Sequence, residues 1–170
     1  CYAAGNCQNF ADMFGISGKV RNMNRFSARL PGHCAFWDVM VRCGFLREEP
    51  VMVNGAPVSP LEFCTALLTS QQQFWYRKDE RDVGYIRVEA RGRKNGTPVS
   101  VTHTIIDYAD LDAGLTSMQR LVGFTVAIAA SLIANGGFTE RGLVMPMRVP
   151  LSLMQPELAK RDIHIMTNID

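Results

Sequence analysis

Apolar and polar positions alternate with a period of two over residues 83–90, where Ile86, Val88 and Ala90 interleave with Arg87 and Glu89. The period returns over 99–108, with Val99, Val101, His103 and Ile105 on one side. Between the two runs stands Lys94-Asn95-Gly96-Thr97, and an Asn-Gly pair supplies the two positive φ angles of a hairpin turn. The pattern predicts a two-stranded antiparallel hairpin. Arg87 and Glu89 on one strand and Ser100, Thr102 and Thr104 on the next leave one sheet face polar, either solvated or a wet interface. His103 shares its side with valines and reads as a hydrogen-bonded sheet histidine rather than a catalytic one.

Helical spacing marks four other stretches. Cys34, Trp37 and Val41 predict a helix over 33–42 with Gly44 as its stop. Ser59-Pro60-Leu61-Glu62 combines a cap, a first-turn proline and a reaching glutamate, so a helix opens there, with Leu61, Ala66, Leu67 and Leu68 as its apolar side, and fades near 71–73. Thr116-Ser117-Met118-Gln119 is a second capping box, opening the most apolar helix of the chain, which runs through Ala134 to a glycine stop at Asn135-Gly136-Gly137. Past the proline-punctuated loop at Met145-Pro146 and Val149-Pro150, a short helix is predicted from about 151 or 156 to 160, then an alternating end with Ile163 and Ile165. Loose alternation over 18–28 predicts a long half-exposed strand, and 51–55 a short arm with an Asn54-Gly55 turn. Strands and helices interleave without a regular βαβ period. The expected class is therefore α+β, a mixed or largely antiparallel sheet with helices packed on one face.

Composition narrows the function classes. At 170 residues the chain is expected to be one domain, 1–170, and 47% hydrophobic with 20% charged residues is ordinary for a globular protein. A net charge of +2 with no basic run gives no argument for nucleic acid. The uncharged stretch 121–139 is broken by Gly136-Gly137 and reads as a buried core helix rather than a membrane span. Five cysteines (Cys1, Cys7, Cys34, Cys43, Cys64) form no zinc spacing, which points to a reducing, cytoplasmic setting without a disulfide framework; a Cys1–Cys7 bond is the minor alternative. Cys34 and Cys43 are read as small hydrophobes within helical stretches. His33, His103 and His164 lie too far apart to suggest a metal, and no Ser-His-Asp motif or G-x-S-x-G elbow is present.

Candidate chemistry concentrates at Arg29-Leu30-Pro31-Gly32-His33. Pro31 holds Leu30 extended, Gly32 takes dihedrals that a Cβ resists, and His33 falls at a helix N-terminus. An arginine, a histidine and outward backbone N–H groups could grip a carboxylate. The competing reading is a solvated turn between two elements.

R-x-P-G-H followed by an apolar helix ending in Gly-Phe resembles the C-terminal domain of the saccharopine dehydrogenase family, whose motif usually reads R-Y-P-G-H. Arg29, Pro31, Gly32 and His33 match, and Leu30 replaces the tyrosine. A second patch, Met118-Gln119-Arg120-Leu121-Val122-Gly123-Phe124, resembles the family's M-x-R-T-T-G-F-P, with Leu121 and Val122 for the threonines and Thr125 for the proline. Residues 141–146 are similar to R-G-V-L-P-P, and 157–165 to the terminal E-x-A-K-R-G-I segment.

The resemblance implies an NAD(P)-dependent oxidoreductase of saccharopine, lysine or related amine metabolism. This chain would be its substrate-binding and homodimer-forming half. The family's N-terminal Rossmann domain is absent from this chain, which has no G-x-G-x-x-G after a strand and opens on Cys1 like a piece of a longer protein. NAD or NADP would then be held mainly by that domain. Within this half, Arg29 would bind a substrate carboxylate, His33 would act as the catalytic proton carrier, and Arg120 and Gly123 would complete the substrate site. For Arg120 a salt bridge is the competing role. The lost tyrosine and threonines imply a less polar substrate. The alternative to an enzyme half is a non-catalytic assembly module that pairs with a twin through the sheet. Partners implied are a small amino acid or amine and a second copy, with no nucleic acid and no membrane.

Overall fold

The structure, a computed structural model, describes residues 2–3, 7–75, 77 and 79–170. The chain divides into two compact units, Cys1–Tyr76 and Arg77–Asp170.

The first unit is built from short elements. Strand β1 (Tyr2–Ala3) pairs antiparallel with β2 (Phe26–Ser27), and helix α1 (Cys7–Met13) lies between them in sequence. The long strand expected over 18–28 is thus reduced to two residues. Its polar run Arg21-Asn22-Met23-Asn24-Arg25 offers no apolar face to bury, and Phe26 itself is exposed. Helix α2 spans His33–Arg42, as its spacing predicts, and closes on Gly44 with φ 82°. The Phe45 N–H reaches the Met40 carbonyl at 3.0 Å and the Gly44 N–H that of Val41 at 3.0 Å, the paired bonds of a Schellman stop. Strands β3 (Val51–Val53) and β4 (Ala56–Val58) form the hairpin signalled by Asn54-Gly55, both at positive φ. Helix α3 (Pro60–Thr69) is capped by Ser59, whose Oγ accepts the Glu62 N–H at 3.3 Å. The reciprocal bond from the Glu62 side chain, expected from the motif, is not made among the described residues. A 3₁₀ turn, Gln72–Phe74, follows. Cys34 and Cys43 are exposed rather than packed as small hydrophobes, Cys64 is buried, and these three and Cys7 are free thiols. Cys1, and with it the Cys1–Cys7 alternative, lies outside the described residues.

The second unit holds the three-stranded antiparallel sheet β5-β6-β7: Val83–Lys94, Thr97–Tyr108 and Met166–Ile169. The hairpin runs through to the Asn95-Gly96 turn, four residues further on its first strand than the alternation alone marked. Register places Arg87 opposite Thr104 and Glu89 opposite Thr102, so the polar face forms as the alternation predicts. His103 sits opposite Thr167 on β7 and its Nδ1 lies 2.8 Å from the Thr167 hydroxyl, the hydrogen-bonded sheet role expected for it.

The other face carries the helices. Helix α4 (Ser117–Ala134) opens on the full capping box of Thr116 and Gln119 and ends on positive-φ Gly136. Asp82 adds a second cap, its carboxylate accepting the N–H groups of Ser117 at 2.7 Å and Met118 at 3.4 Å. Within α4, Arg120–Phe124 winds as a wide π turn, which the pattern did not predict. The Thr125 hydroxyl at its end donates to the Leu121 carbonyl at 2.6 Å. Helix α5 (Leu151–Ala159) follows the 3₁₀ turn Pro146–Arg148, with Pro156 inside it. Ile128, Leu158 and Ile163 form the buried centre, joined by Ile105, Leu121, Phe124, Leu132, Met154 and Ile165. The alternating isoleucines at 163 and 165 therefore serve the core from a turn, and the strand begins only at Met166.

Helix α4 is long and apolar enough to cross a membrane, yet it is packed here through Ile128 and carries a buried arginine. It packs on the core through one side only, with Leu121, Phe124, Ile128 and Leu132 inward and Met118, Val122, Val126 and Ile133 exposed along its far side.

Candidate functional site

In the first unit, the Arg29–His33 segment is a tight turn into α2. The His33 N–H bonds the Leu30 carbonyl at 3.2 Å across Pro31 and Gly32, and Gly32 takes φ 87°, ψ −22°, the third position of a type II turn. Glycine is required there, since a residue with a Cβ is strained at that φ. Arg29 is exposed, with Nη1 donating to the Ala28 carbonyl at 3.0 Å. His33 is the first residue of α2, also exposed, its ring centroid 6.3 Å from that of Trp37. Leu30 projects at 84% exposure, so the residue standing for the family's tyrosine covers nothing described.

Trp37 also lines an open apolar concavity of about 610 Å³ in the same unit, with Phe36, Leu68, Thr69, Phe74 and Trp75. The Trp75 indole N–H is anchored to the Thr69 carbonyl at 2.8 Å. Sequence reading placed His33 but missed these aromatic walls, because Phe74 and Trp75 follow a polar Ser70–Gln73 run that looks like a frayed helix end.

In the second unit, Arg120 and Gly123 share the π turn. Arg120 is buried, and its guanidinium is engaged on three sides. Nε and Nη2 donate to the Asp107 carboxylate at 3.1 Å, Nη1 to Asp110 at 3.4 Å, and Nη2 also to the Arg161 carbonyl at 2.9 Å. The Asp107 carboxylate holds the Arg120 proton more tightly than usual, moving its pKa up. The charge centres of Arg120 and Arg161 stand 5.7 and 5.8 Å from the Phe124 ring centroid, a doubled cation–π arrangement. Arg161 is tied back to Glu157, whose carboxyl is held below its ordinary range first by Lys160 and then by Arg161. Asp107, Asp110, Arg120, Phe124 and Arg161 border a cleft of about 740 Å³ with Lys160, Asp162 and His164.

The salt bridge weighed for Arg120 is therefore present. A carboxylate ligand at its guanidinium would have to share donors with Asp107. Gly123 is open, since an added Cβ would meet no described atom within 4 Å. The two threonine replacements separate: Leu121 turns inward to the core, while Val122 is 56% exposed. Asp107 was missed by sequence reading, although a signal existed. It falls in phase with Val99 to Ile105 on the inner face, where a carboxylate needs a cationic partner.

All described strand pairs are antiparallel, so the described residues contain no parallel βαβ unit and no dinucleotide cradle of the Rossmann type. No curated protein matches the sequence. The profile of the family described as saccharopine dehydrogenase C-terminal domain does, over residues 1–162 of 170. That family is generally NAD(P)-dependent. The match spans the R-x-P-G-H turn, the helical sheet face and the π turn alike, and on it the chain belongs to the saccharopine dehydrogenase C-terminal domain family.

Proposed function

We propose that residues 1–170 act together as the substrate-binding half of an NAD(P)-dependent oxidoreductase acting on an amino acid or amine. The family match over 162 residues carries this reading, and the intact Leu30–His33 turn supports it at the residue level. NAD or NADP belongs with an N-terminal Rossmann domain outside these residues. When bound there it supplies the hydride chemistry. On this half, Arg29 binds the substrate carboxylate through its planar fork. His33 holds or releases a proton beside the reacting nitrogen, with the Trp37 ring as its neighbour at 6.3 Å. In the second unit, taken by itself, Arg120 and Gly123 stand as a separate candidate group, with Gly123 leaving room for a ligand beside the Asp107-bound guanidinium. The domain pairs with a twin through its sheet and works in the reducing cytoplasm, in keeping with its free thiols.

The test is thermal unfolding of the full-length protein with NAD(P) and a panel of amino acids and polyamines. A matching ligand at 100 times its Kd adds about 2.7 kcal/mol. Arg29→Ala should then raise KM or abolish turnover while leaving the unfolding midpoint in place; unchanged kinetics would remove Arg29 from the site.

A second reading is a non-catalytic assembly module of a divergent family member. The observation favouring it is the engagement of Arg120 by Asp107, Asp110 and the Arg161 carbonyl. A normal shift with NAD(P) and none with any amine or amino acid would select it.

A further inference from the structure

Strand β5 is an edge, and its geometry says what that edge can pair with. Ser100 exchanges both backbone hydrogen bonds with Asp170, at 2.8 and 2.9 Å. By the alternation of an antiparallel ladder, the even residues of β6 therefore turn their N–H and C=O groups to β7, and the odd ones turn theirs to β5. Val101 faces Ala90, His103 faces Val88 and Ile105 faces Ile86, so the even residues of β5 are bonded inward. The odd residues from Val83 to Arg93 point their backbone groups away from the sheet, and among the described residues no strand lies on that side. A twelve-residue edge of this kind is a template for another strand, and natural sheets normally cover or blunt it.

The side chains select a partner. A two-fold axis perpendicular to the sheet sets two copies of β5 antiparallel with matching faces, and the residue on the axis then fixes the register. With Glu89 on the axis, Glu89 meets its own copy and Arg87 meets Arg91. With Arg87 there, two arginines meet, and with Ala90 there, Arg87 meets Arg93. Each of these puts like charges directly opposite, which is destabilising. Val88 on the axis avoids every such clash. Arg87 then faces Glu89 of the second copy and Glu89 faces its Arg87, while Arg91 lies across from Tyr85. On the other face, Val88 meets Val88 and Ile86 meets Ala90. Val88 is 59% and Ile86 45% exposed, so the pairing extends an uncovered apolar surface into a shared one.

We propose that two copies of this chain join edge to edge along β5, in the register centred on Val88, making one six-stranded antiparallel sheet. This rests on the reading that the domain pairs with a twin, and names the surface and alignment. Outward odd residues meet outward odd residues in this register, so Arg87 and Glu89 of the second copy exchange backbone hydrogen bonds as well as charge. Val88 and its copy form a non-hydrogen-bonded pair, whose Cα atoms lie about 4.5 Å apart in antiparallel sheets, within disulfide reach.

The experiment uses the 170-residue chain with Cys1, Cys7, Cys34 and Cys43 changed to serine. Light scattering reads the oligomeric state of this parent. Val88→Cys and, separately, Ala90→Cys are then oxidised and scored for covalent dimer. The expected result is a dimer that Val88→Cys locks quantitatively and Ala90→Cys does not. In the same background Glu89→Arg should weaken the dimer roughly tenfold, and adding Arg87→Glu should restore it. A dimer that Val88→Cys fails to lock, or that both cysteines lock equally, overturns this edge and register but leaves pairing of twins standing. A parent that stays monomeric at about 100 µM overturns both, and marks the arginines of β5 as edge protection instead.

Discussion

Arg29 and Arg120 carry the same guanidinium, one on an open turn of the first unit and the other on the sheet-facing side of a helix in the second. Arg29 is held by a single bond to the neighbouring carbonyl of Ala28. Arg120 is held by two carboxylates, a carbonyl and the face of Phe124. The contrast extends to the units themselves. In the first, the only fully buried apolar residues described are Ala11 and Cys64. The second closes on Ile128, Leu158 and Ile163, with six further apolar side chains around them. An arginine on a thin, open unit is free to meet a ligand, whereas one enclosed in a core must first be neutralised, and its neutralisers become structural parts.

That difference is sharpest at Asp107. Its carboxylate is 4% exposed and is the main partner of a guanidinium that is itself 9% exposed. Asp107→Ala leaves Arg120 buried with Asp110, at 3.4 Å, as its remaining ion-pair partner and Asp162 as a more distant charge. Breaking one side of a buried pair costs about 3 kcal/mol or more, because the remaining charge keeps its desolvation penalty. Urea unfolding should register that loss, against a change within about 0.5 kcal/mol for the exposed Arg29→Ala. Equal, small effects at both sites would mean that Arg120 is solvated, and the contrast between the units would fail.

The next effect tests how tightly α4 is laid on the sheet. A Cβ at Gly84 would fall inside van der Waals contact of both the Ser117 Oγ and the Leu121 Cδ1. Ser117 is fully buried and its hydroxyl has no hydrogen-bond partner among the described residues, so relief of the clash has to come from repacking Ser117 and Leu121 against their neighbours. Gly84→Ala should therefore cost about 2 kcal/mol by overpacking. Gly92→Ala, at the far end of the same strand where a Cβ meets nothing within 4 Å, is the comparison and should be near neutral.

These positions also mark where the sequence stops being readable. Helix starts and hairpins came through because each depends on a few adjacent residues: Thr116 with Gln119, Asn95 with Gly96, Ser59 with Pro60. The strand expected over 18–28 failed because alternation without enough apolar residues gives a strand nothing to bury. The π turn at Arg120–Phe124 arises from tertiary demands: Arg120 has to reach Asp107 while Leu121 and Phe124 reach the core. One local trace of it existed, since the turn ends at Thr125, where the family motif carries a proline. The motif residues were visible in the candidate sites, Arg29 and His33 in one turn and Arg120 and Gly123 in another. What surrounds them was not, because Asp107, Asp110 and Arg161 approach Arg120 from other segments, which no spacing along the chain encodes.

The smallest effect probes the end of α5. The family's E-x-A-K-R-G-I has glycine where this chain has Asp162, and Asp162 sits at φ 59°, in the left-handed region. Beyond it the Ile163 N–H returns to the Leu158 carbonyl at 3.1 Å, carrying Ile163 into the core at 1% exposure. The backbone therefore keeps the glycine conformation although the residue has changed. Aspartate tolerates this region better than most residues but still bears part of the Cβ penalty. Its carboxylate lies 3.0 Å from His164 Nε2, an exposed contact that is worth little. Asp162→Gly should thus stabilise the second unit by about 0.5 kcal/mol, seen as a small rise in unfolding midpoint. A loss instead would mean that the Asp162 charge, which also acts on Arg120 across the cleft, outweighs the backbone strain. The cluster around Arg120 would then include a third carboxylate, and the second unit would be still more bound to its own charges than the first.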